Sequence, residues 1–513
     1  MIPPVLRWIR CQLPTRFARA NSQLPNVRLA HRQMARASLA FIIAAVATVG
    51  AQNAPDRSHP PQLGAPPPLN LPPIQKRMLA NRLPVWIVES HEVPLVQVNL
   101  VVQAGSSNDP AGKYGLASLT AAMLDEGAGS RSSLQIADAI EFLGAELATT
   151  SSFDAAAVRM NVPVARLQDA LPIMADVALR PTFPQADLDR LRQERITALL
   201  QAKDDPAQVV PIAFARVVYG PMHRYGTPAM GSDTTLKAFT ASDLKQFHAE
   251  MYQPANSTLI VVGDIKPDAV LPQLEKLFGT WSGTAATRPV PVPQARQLTQ
   301  GQLYIVDKPE APQSQIRVGW VGVPRATPDY FPLQVLNTIL GGSFTSRLNQ
   351  NLREEHGYAY GAGSRFDMRL SAGPFFATAG VQADKTAESL QEFFNELNGM
   401  LKPIPADELD KAKNYVALSF PGEFEAIDDL SSHLEEMVVY KLPDDYFTRY
   451  VANIQAVTAD AVQKAAATYI QPKKFAIVVI GDRKSIEPKI RALNLAPMHV
   501  VSVDDVFGQR ELQ

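Results

Sequence analysis

Cysteine is almost absent: the 513 residues hold one, Cys11. It lies ahead of an apolar run with the character of an export signal, so the chain beyond that run has no thiol. This excludes disulfides, a cysteine nucleophile and thiolate metal ligands there. Histidine is sparse as well. His59, His91, His223, His248, His356, His433 and His499 follow the apolar run, and no two are four residues apart. No helix face therefore presents a histidine pair to a metal ion. Spacing alone leaves open a site assembled from distant parts of the chain. There is no charge excess either: the formal net charge is −1, the pI is about 6.7, and no basic patch or tail stands out. Nucleic acid is not an expected partner. The G-x-S-x-G elbow and the phosphate-binding G-x-x-x-x-G-K-[ST] loop are both missing.

The first feature present is a targeting segment, residues 1–51. Leu39 to Ala51 (LAFIIAAVATVGA) is apolar, follows Arg32 and Arg36, and ends in small residues at Val49-Gly50-Ala51. That run is short for a membrane span and reads as a cleavable signal. Retention as an N-terminal anchor is the alternative, and the only membrane association the sequence suggests. Met34 offers a start that gives the signal an ordinary length. Export to a bacterial periplasm fits a chain without cysteine. Residues 52–73 are proline-rich and read as a semi-rigid linker, with folded structure beginning near Ile74.

An internal repeat organises the rest. Thr240–Asp264 (TASDLKQFHAEMYQPANSTLIVVGD) parallels Thr458–Asp482 (TADAVQKAAATYIQPKKFAIVVIGD). Each reads as a helix, a Gln-Pro turn and a buried strand ending in Gly-Asp. Pro254 and Pro472 are 218 positions apart, as are Gly263 and Gly481, and Gln97 and Gln315. One offset across a whole half marks a duplication. The halves are assigned to 74–289 and 301–496, joined by a connector at 290–300 and followed by a tail from 497.

In the first half Val85–Glu89 and Leu95–Gln103 read as strands between proline and glycine punctuation. Tyr114–Leu124 and Leu134–Leu143 read as helices, the second capped by Ser132 or Ser133 and stopped by Gly144. A strand pair follows at Ala145–Ser152 and Ala155–Pro163, then helices near 164–179 and 185–203. Mixed order of this kind implies an α+β fold with largely antiparallel sheets and packed helices.

From about residue 76 to 490 the chain resembles the pitrilysin (insulinase, mitochondrial-processing-peptidase-like) family of metallopeptidases. The residues that carry the resemblance are Gly105-Ser106, Gly115-Leu116-Ala117, Phe183-Pro184, Asp204-Asp205-Pro206, Tyr219-Gly220-Pro221, Tyr225-Gly226 and Val262-Gly263-Asp264. In the second half they are Gly341-Gly342-Ser343, Ser346-Arg347-Leu348 and Leu352-Arg353-Glu354-Glu355. Active members carry H-x-x-E-H on the first helix, two histidines on one face gripping zinc and a glutamate activating the metal-bound water. Here that position reads Ser118-Leu119-Thr120-Ala121-Ala122. Ser118 and Ala122 replace the histidines and Ala121 the base. A last glutamate ligand is expected near Thr197 or Ala198, with Glu194 about a turn early. The resemblance thus implies no catalytic residue, metal or cofactor in this chain, and zinc in a partner.

The same resemblance assigns a substrate-handling role to Arg353 and Tyr360, seven residues apart in LREEHGYAYGAG. A guanidinium suits a peptide carbonyl, and a tyrosine hydroxyl can donate to a developing oxyanion. The blander reading is available: arginine near a helix C-terminus and tyrosine in a strand are both ordinary. Leu348–His356 reads as a helix ended by Gly357, with Tyr358–Gly363 as a strand. Gly341-Gly342-Ser343-Phe344 reads equally as a substrate-touching loop or an interhelical turn. Ser242-Asp243-Leu244-Lys245 matches S-x-x-K but also a plain helix start. The expected function is that of a non-catalytic subunit, paired with a zinc-bearing homologue and binding unfolded or short peptides. The alternative is a stand-alone exported peptide-binding or scaffold protein.

Overall fold

The computed structural model describes residues 69–283 and 291–508, with 64 and 512. The targeting segment with Cys11, and the linker apart from residues 64 and 69–73, lie outside the described residues. Each half builds one six-stranded sheet. In the first, β1 (Gln75–Met78), β2 (Pro84–Glu89), β3 (Leu95–Val102), β6 (Glu146–Ser151), β7 (Ala156–Pro163) and β8 (Ser257–Gly263) lie in the order β1-β2-β8-β3-β7-β6. A two-stranded ribbon, β4 (Gly127–Ala128) and β5 (Arg131–Ser132), stands apart. In the second, β9 (Gln302–Asp307), β10 (Gln313–Val321), β11 (Ala359–Phe366), β12 (Pro374–Gln382), β13 (Ala476–Gly481) and β14 (Met498–Val501) lie in the order β11-β12-β10-β13-β9-β14. Only β2–β8, β13–β9 and β14–β9 pair in parallel.

The first half carries helices α1 (Leu116–Ala122), α2 (Ser133–Phe142), α3 (Leu167–Leu179), α4 (Gln185–Asp204), α5 (Pro206–Tyr219), α6 (Asp233–Ala238), α7 (Ala241–Met251) and α8 (Pro267–Phe278). The second carries α9 (Tyr330–Asn337), α10 (Arg347–Asn349), α11 (Thr386–Gly399), α12 (Ala406–Ser419), α13 (Ile427–Tyr440), α14 (Tyr450–Gln455), α15 (Ala459–Tyr469), α16 (Arg483–Ala492) and α17 (Val503–Phe507). Local chemistry sets many of these ends. Ser132 caps α2 through a capping box with Gln135, and Gly144 follows at φ +62°. Thr240, boxed with Asp243, caps α7, which leaves Ser242 inside the first turn of an ordinary helix.

The halves exchange helices. On α5 of the first half, Val209, Ala213 and Phe214 pack with Tyr304, Val478 and Ile480 of the second sheet. Reciprocally, α13 of the second half covers β3 and β8 of the first. The register of β3 explains why. Val96, Val98 and Leu100 point into the first half's own core, while Gln97 and Asn99 face the other way. There Asn99 donates to Glu435 (2.6 Å) and Ser431 (3.0 Å) on α13. Arg159 on β7 adds two bonds to Glu435, of 2.7 and 2.5 Å. The stretch from 497, read from sequence as a tail, is built into the second half: β14 adds an outer strand beside β9, and α17 lies against α5.

Candidate functional site

The degenerate metal helix is firmly held. Gly115 sits at φ +101°, and a Cβ there would lie 2.5 Å from the Met230 carbonyl oxygen, so only glycine fits. The buried Asp109 carboxylate accepts from the backbone N–H groups of Gly115 and Ala117, both at 2.7 Å, and from Arg224 at 2.9 Å. Arg224 also donates to the Ser106 carbonyl at 2.7 Å and lies over the Tyr114 ring. The motifs Gly105-Ser106, Gly115-Leu116-Ala117 and Tyr225-Gly226 are thus three parts of one cluster.

Ser118 and Ala122 lie one turn apart on α1 and are both half-buried, while Ala121 is buried. From α4, the side chain that reaches them is Arg195. Its guanidinium donates to Ser118 Oγ at 3.2 Å and to the Ser118 carbonyl at 2.9 Å. Thr197 and Ala198, where the last ligand was expected, are exposed, and Thr197 donates back to the Gln193 carbonyl. Glu194 pairs instead with Arg190 (3.0 Å), which also holds Glu126. Burial lowers the Arg195 pKa to about 10, with no carboxylate acting to raise it. Two methyl groups, one hydroxyl and a guanidinium are not a zinc ligand set; the guanidinium repels any dication placed there. Among the described residues no group of three or more His, Cys, Asp or Glu is placed to hold a metal ion. No sequence pattern singles out Arg195, because its reach to Ser118 depends on how α4 crosses α1.

The second site forms at the free edge of the second sheet. Arg353 and Tyr360 line one open cavity of about 590 Å3, with Gly341, Gly342 and Phe344 on another side. The helix expected at 348–356 is shorter than read: α10 is α-helical only to Asn349, and residues 350–355 are wound as a π-helix before Gly357 turns the chain at φ +65°. A second π-helical turn spans 338–342. Such turns are rare and concentrate at functional sites. The Gly341-Gly342 segment lies in the turn between α9 and α10 and also lines the cavity. Gly341 packs against β11, where a Cβ would stand 2.2 Å from the Ser364 nitrogen.

Tyr360 lies where the β11–β12 register slips between Ala359 and Ala362. This bulge turns the side chain outward, to 88% exposure. Arg353 lies over the Phe344 ring, 4.5 Å from its centre, and its nearest carboxylate is Glu354 at 3.4 Å. Its remaining donors and the Tyr360 hydroxyl are available to a ligand in the cavity. The described histidines take ordinary places: His248 donates its Nε2–H to the Ala178 carbonyl and stacks on Tyr252, and His433 stacks on Phe424.

Two similar halves, one whose α1–α4 crossing offers no zinc ligand set and one with an open cavity, define a duplicated α+β peptidase-like chain. Comparison with known proteins agrees. Residues 85–219 match the model for insulinase (peptidase family M16), and residues 238–416 match the peptidase M16 inactive domain. An uncharacterized zinc protease of Bacillus subtilis (strain 168) is 25% identical over 344 residues, covering 66% of this chain and 82% of that protein. One from Mycobacterium leprae (strain TN) is 23% identical over 415 residues, covering 80% and 92%. Among solved structures, a peptidase M16 inactive domain from Pseudomonas fluorescens superposes with a TM-score of 0.75 at 27% identity, covering 80% of this chain and 97% of that one. A Helicobacter pylori protease shares the fold at 21% identity and a TM-score of 0.75, with 80% and 100% covered. The chain belongs to the M16 peptidase family, the pitrilysin and insulinase group.

Proposed function

We propose that this chain is the non-catalytic subunit of a two-chain zinc peptidase, exported to the periplasm and paired with a zinc-bearing homologue. Its own part is to bind and position unfolded or short peptides. The observation that carries the reading is the contrast between the two sites. The metal positions at Ser118, Ala122 and on α4 and the base position at Ala121 lack the needed side chains, yet Arg353 and Tyr360 line one open cavity beside β11, the edge strand of its sheet among the described residues. Substrate backbone adds to such an edge by main-chain hydrogen bonding, while Arg353 holds a carbonyl and Tyr360 donates toward the partner's reaction centre.

The test is peptide cleavage by the reconstituted pair. Arg353→Ala is expected to lower kcat/KM by about 100-fold, on the scale of an oxyanion contact, with the partner's zinc content unchanged. Unchanged cleavage would remove the role given to Arg353. Failure of the chain to associate with any zinc-bearing homologue, with peptide binding retained, would favour a stand-alone peptide-binding protein.

A further inference from the structure

A second cavity lies elsewhere. It measures about 660 Å3 and lies between α4, the 221–235 segment and the C-terminal helix α17. Ile196, Leu199 and Leu200 of α4, with Met222 and Phe507, give it an apolar lining. Leu200 and Met222 stand at its mouth, 56% and 77% exposed. Into this lining α5 brings Arg216, which is only 6% exposed.

Among the described residues that line the cavity, Arg216 is the one cation without a counter-ion. Lys203 pairs with Asp504 at 2.7 Å, and Lys237 with Asp233 at 2.8 Å. Arg216 has only the carbonyls of Val506 and Gly508, both on one Nη, while its Nε has no partner. Burial lowers its pKa and nothing nearby raises it. A buried guanidinium without a carboxylate is costly, and an anion in the cavity would offset that cost. Apolar walls with a few convergent polar and charged groups, at a volume within roughly 300–1,000 Å3, are the usual character of a small-ligand site.

The geometry points to a binding site for a carboxylic acid on an apolar body, of the medium-chain acyl type, with its carboxylate at Arg216 and its chain along α4. This site is separate from the Arg353–Tyr360 cavity and does not depend on the peptidase reading. α4 is also the helix that carries Arg195, so the ligand would lie one residue away from the crossing with α1.

The experiment is calorimetric titration of the full chain with dodecanoate and with dodecanol, both below their aggregation limits, alongside melting curves. Dodecanoate is expected to bind at least ten-fold more tightly and to raise the Tm. Leu200→Glu changes an exposed side chain at the mouth and should weaken dodecanoate at least ten-fold while the unliganded Tm holds. Arg216→Gln, where it folds, should bring dodecanoate down to dodecanol. Equal affinity for acid and alcohol, no binding of either, or dodecanoate binding untouched by Leu200→Glu would each overturn the proposal.

Discussion

Arg195 on α4 grips Ser118 on α1 by both its hydroxyl, at 3.2 Å, and its carbonyl, at 2.9 Å. The guanidinium thus ties the two helices together at this crossing. It supplies a positive charge and fixed donors where no zinc ligand set is present. The lack of such a set therefore need not loosen the first half.

That contact makes the order of restoration testable. Ser118→His with Ala121→Glu and Ala122→His rebuilds the helix motif but leaves Arg195 against it, and the triple variant should retain no zinc after desalting. Adding Arg195→Glu removes the repelling charge and provides a third protein ligand from the α4 position whose side chain reaches Ser118. The quadruple variant should hold about one zinc per chain by atomic emission. Zinc in the triple variant would show that Arg195 is not the obstacle.

The exchanged helices predict where stability is concentrated. Glu435 on α13 receives Arg159 and Asn99 from the first sheet, and is itself buried. Glu435→Ala takes the carboxylate acceptor from a guanidinium and an amide at the joint and should cost about 3 kcal/mol, read as a lower urea midpoint. Glu435→Gln keeps an acceptor and should lose less. An unchanged midpoint for the alanine variant would mean the halves are held by apolar contact alone.

Much of the architecture was legible from a single offset. Strands β2 and β9 begin 218 residues apart, as do β3 and β10, and β7 and β12. The approach of Arg353 to Tyr360 also follows from local rules, because Gly357 turns the chain between them. The helix exchange was not legible. An apolar stripe such as Val209, Val210, Ala213 and Phe214 states that a helix is covered, but not by which sheet. Gln97 and Asn99, polar in a central strand, were the available sign that this face meets something other than an ordinary core. The α-to-π change at Asn349 leaves no periodic trace over so few residues, and the tail after 497 is too short to announce a strand.

His248 predicts an acid sensitivity. Burial holds its imidazole below the usual pKa, with its Nε2 at 2.9 Å from the Ala178 carbonyl. In the unfolded chain a histidine titrates near about 6.5. Below that pH the unfolded chain takes up a proton that the folded one resists, so stability falls on acidification and rises with pH through the same window. His248→Gln keeps a donor for Ala178 and removes the titration. The difference between native and variant unfolding free energies should therefore change with pH from about 6.5 downward, and a constant difference would show that His248 is not responsible.

Gly341 ties the cavity wall to the strand that carries Tyr360. A methyl group there would meet backbone atoms of β11, the Ser364 nitrogen at 2.2 Å and the Gly363 carbonyl carbon at 2.7 Å. Backbone cannot rotate aside as a side chain does, so the π-turn at 338–342 and β11 must part. Gly341→Ala should cost about 1–3 kcal/mol and, because Tyr360 moves with β11 while Arg353 stays with its helix, should weaken peptide binding beyond what the lost stability explains. Gly357→Ala is the control: at φ +65° it is strained, but a Cβ there meets no atom within 4 Å. A binding loss confined to Gly341→Ala, measured at a temperature where both variants are fully folded, would locate the effect in the wall of the cavity. Equal losses would place it in general destabilisation of the 338–360 segment.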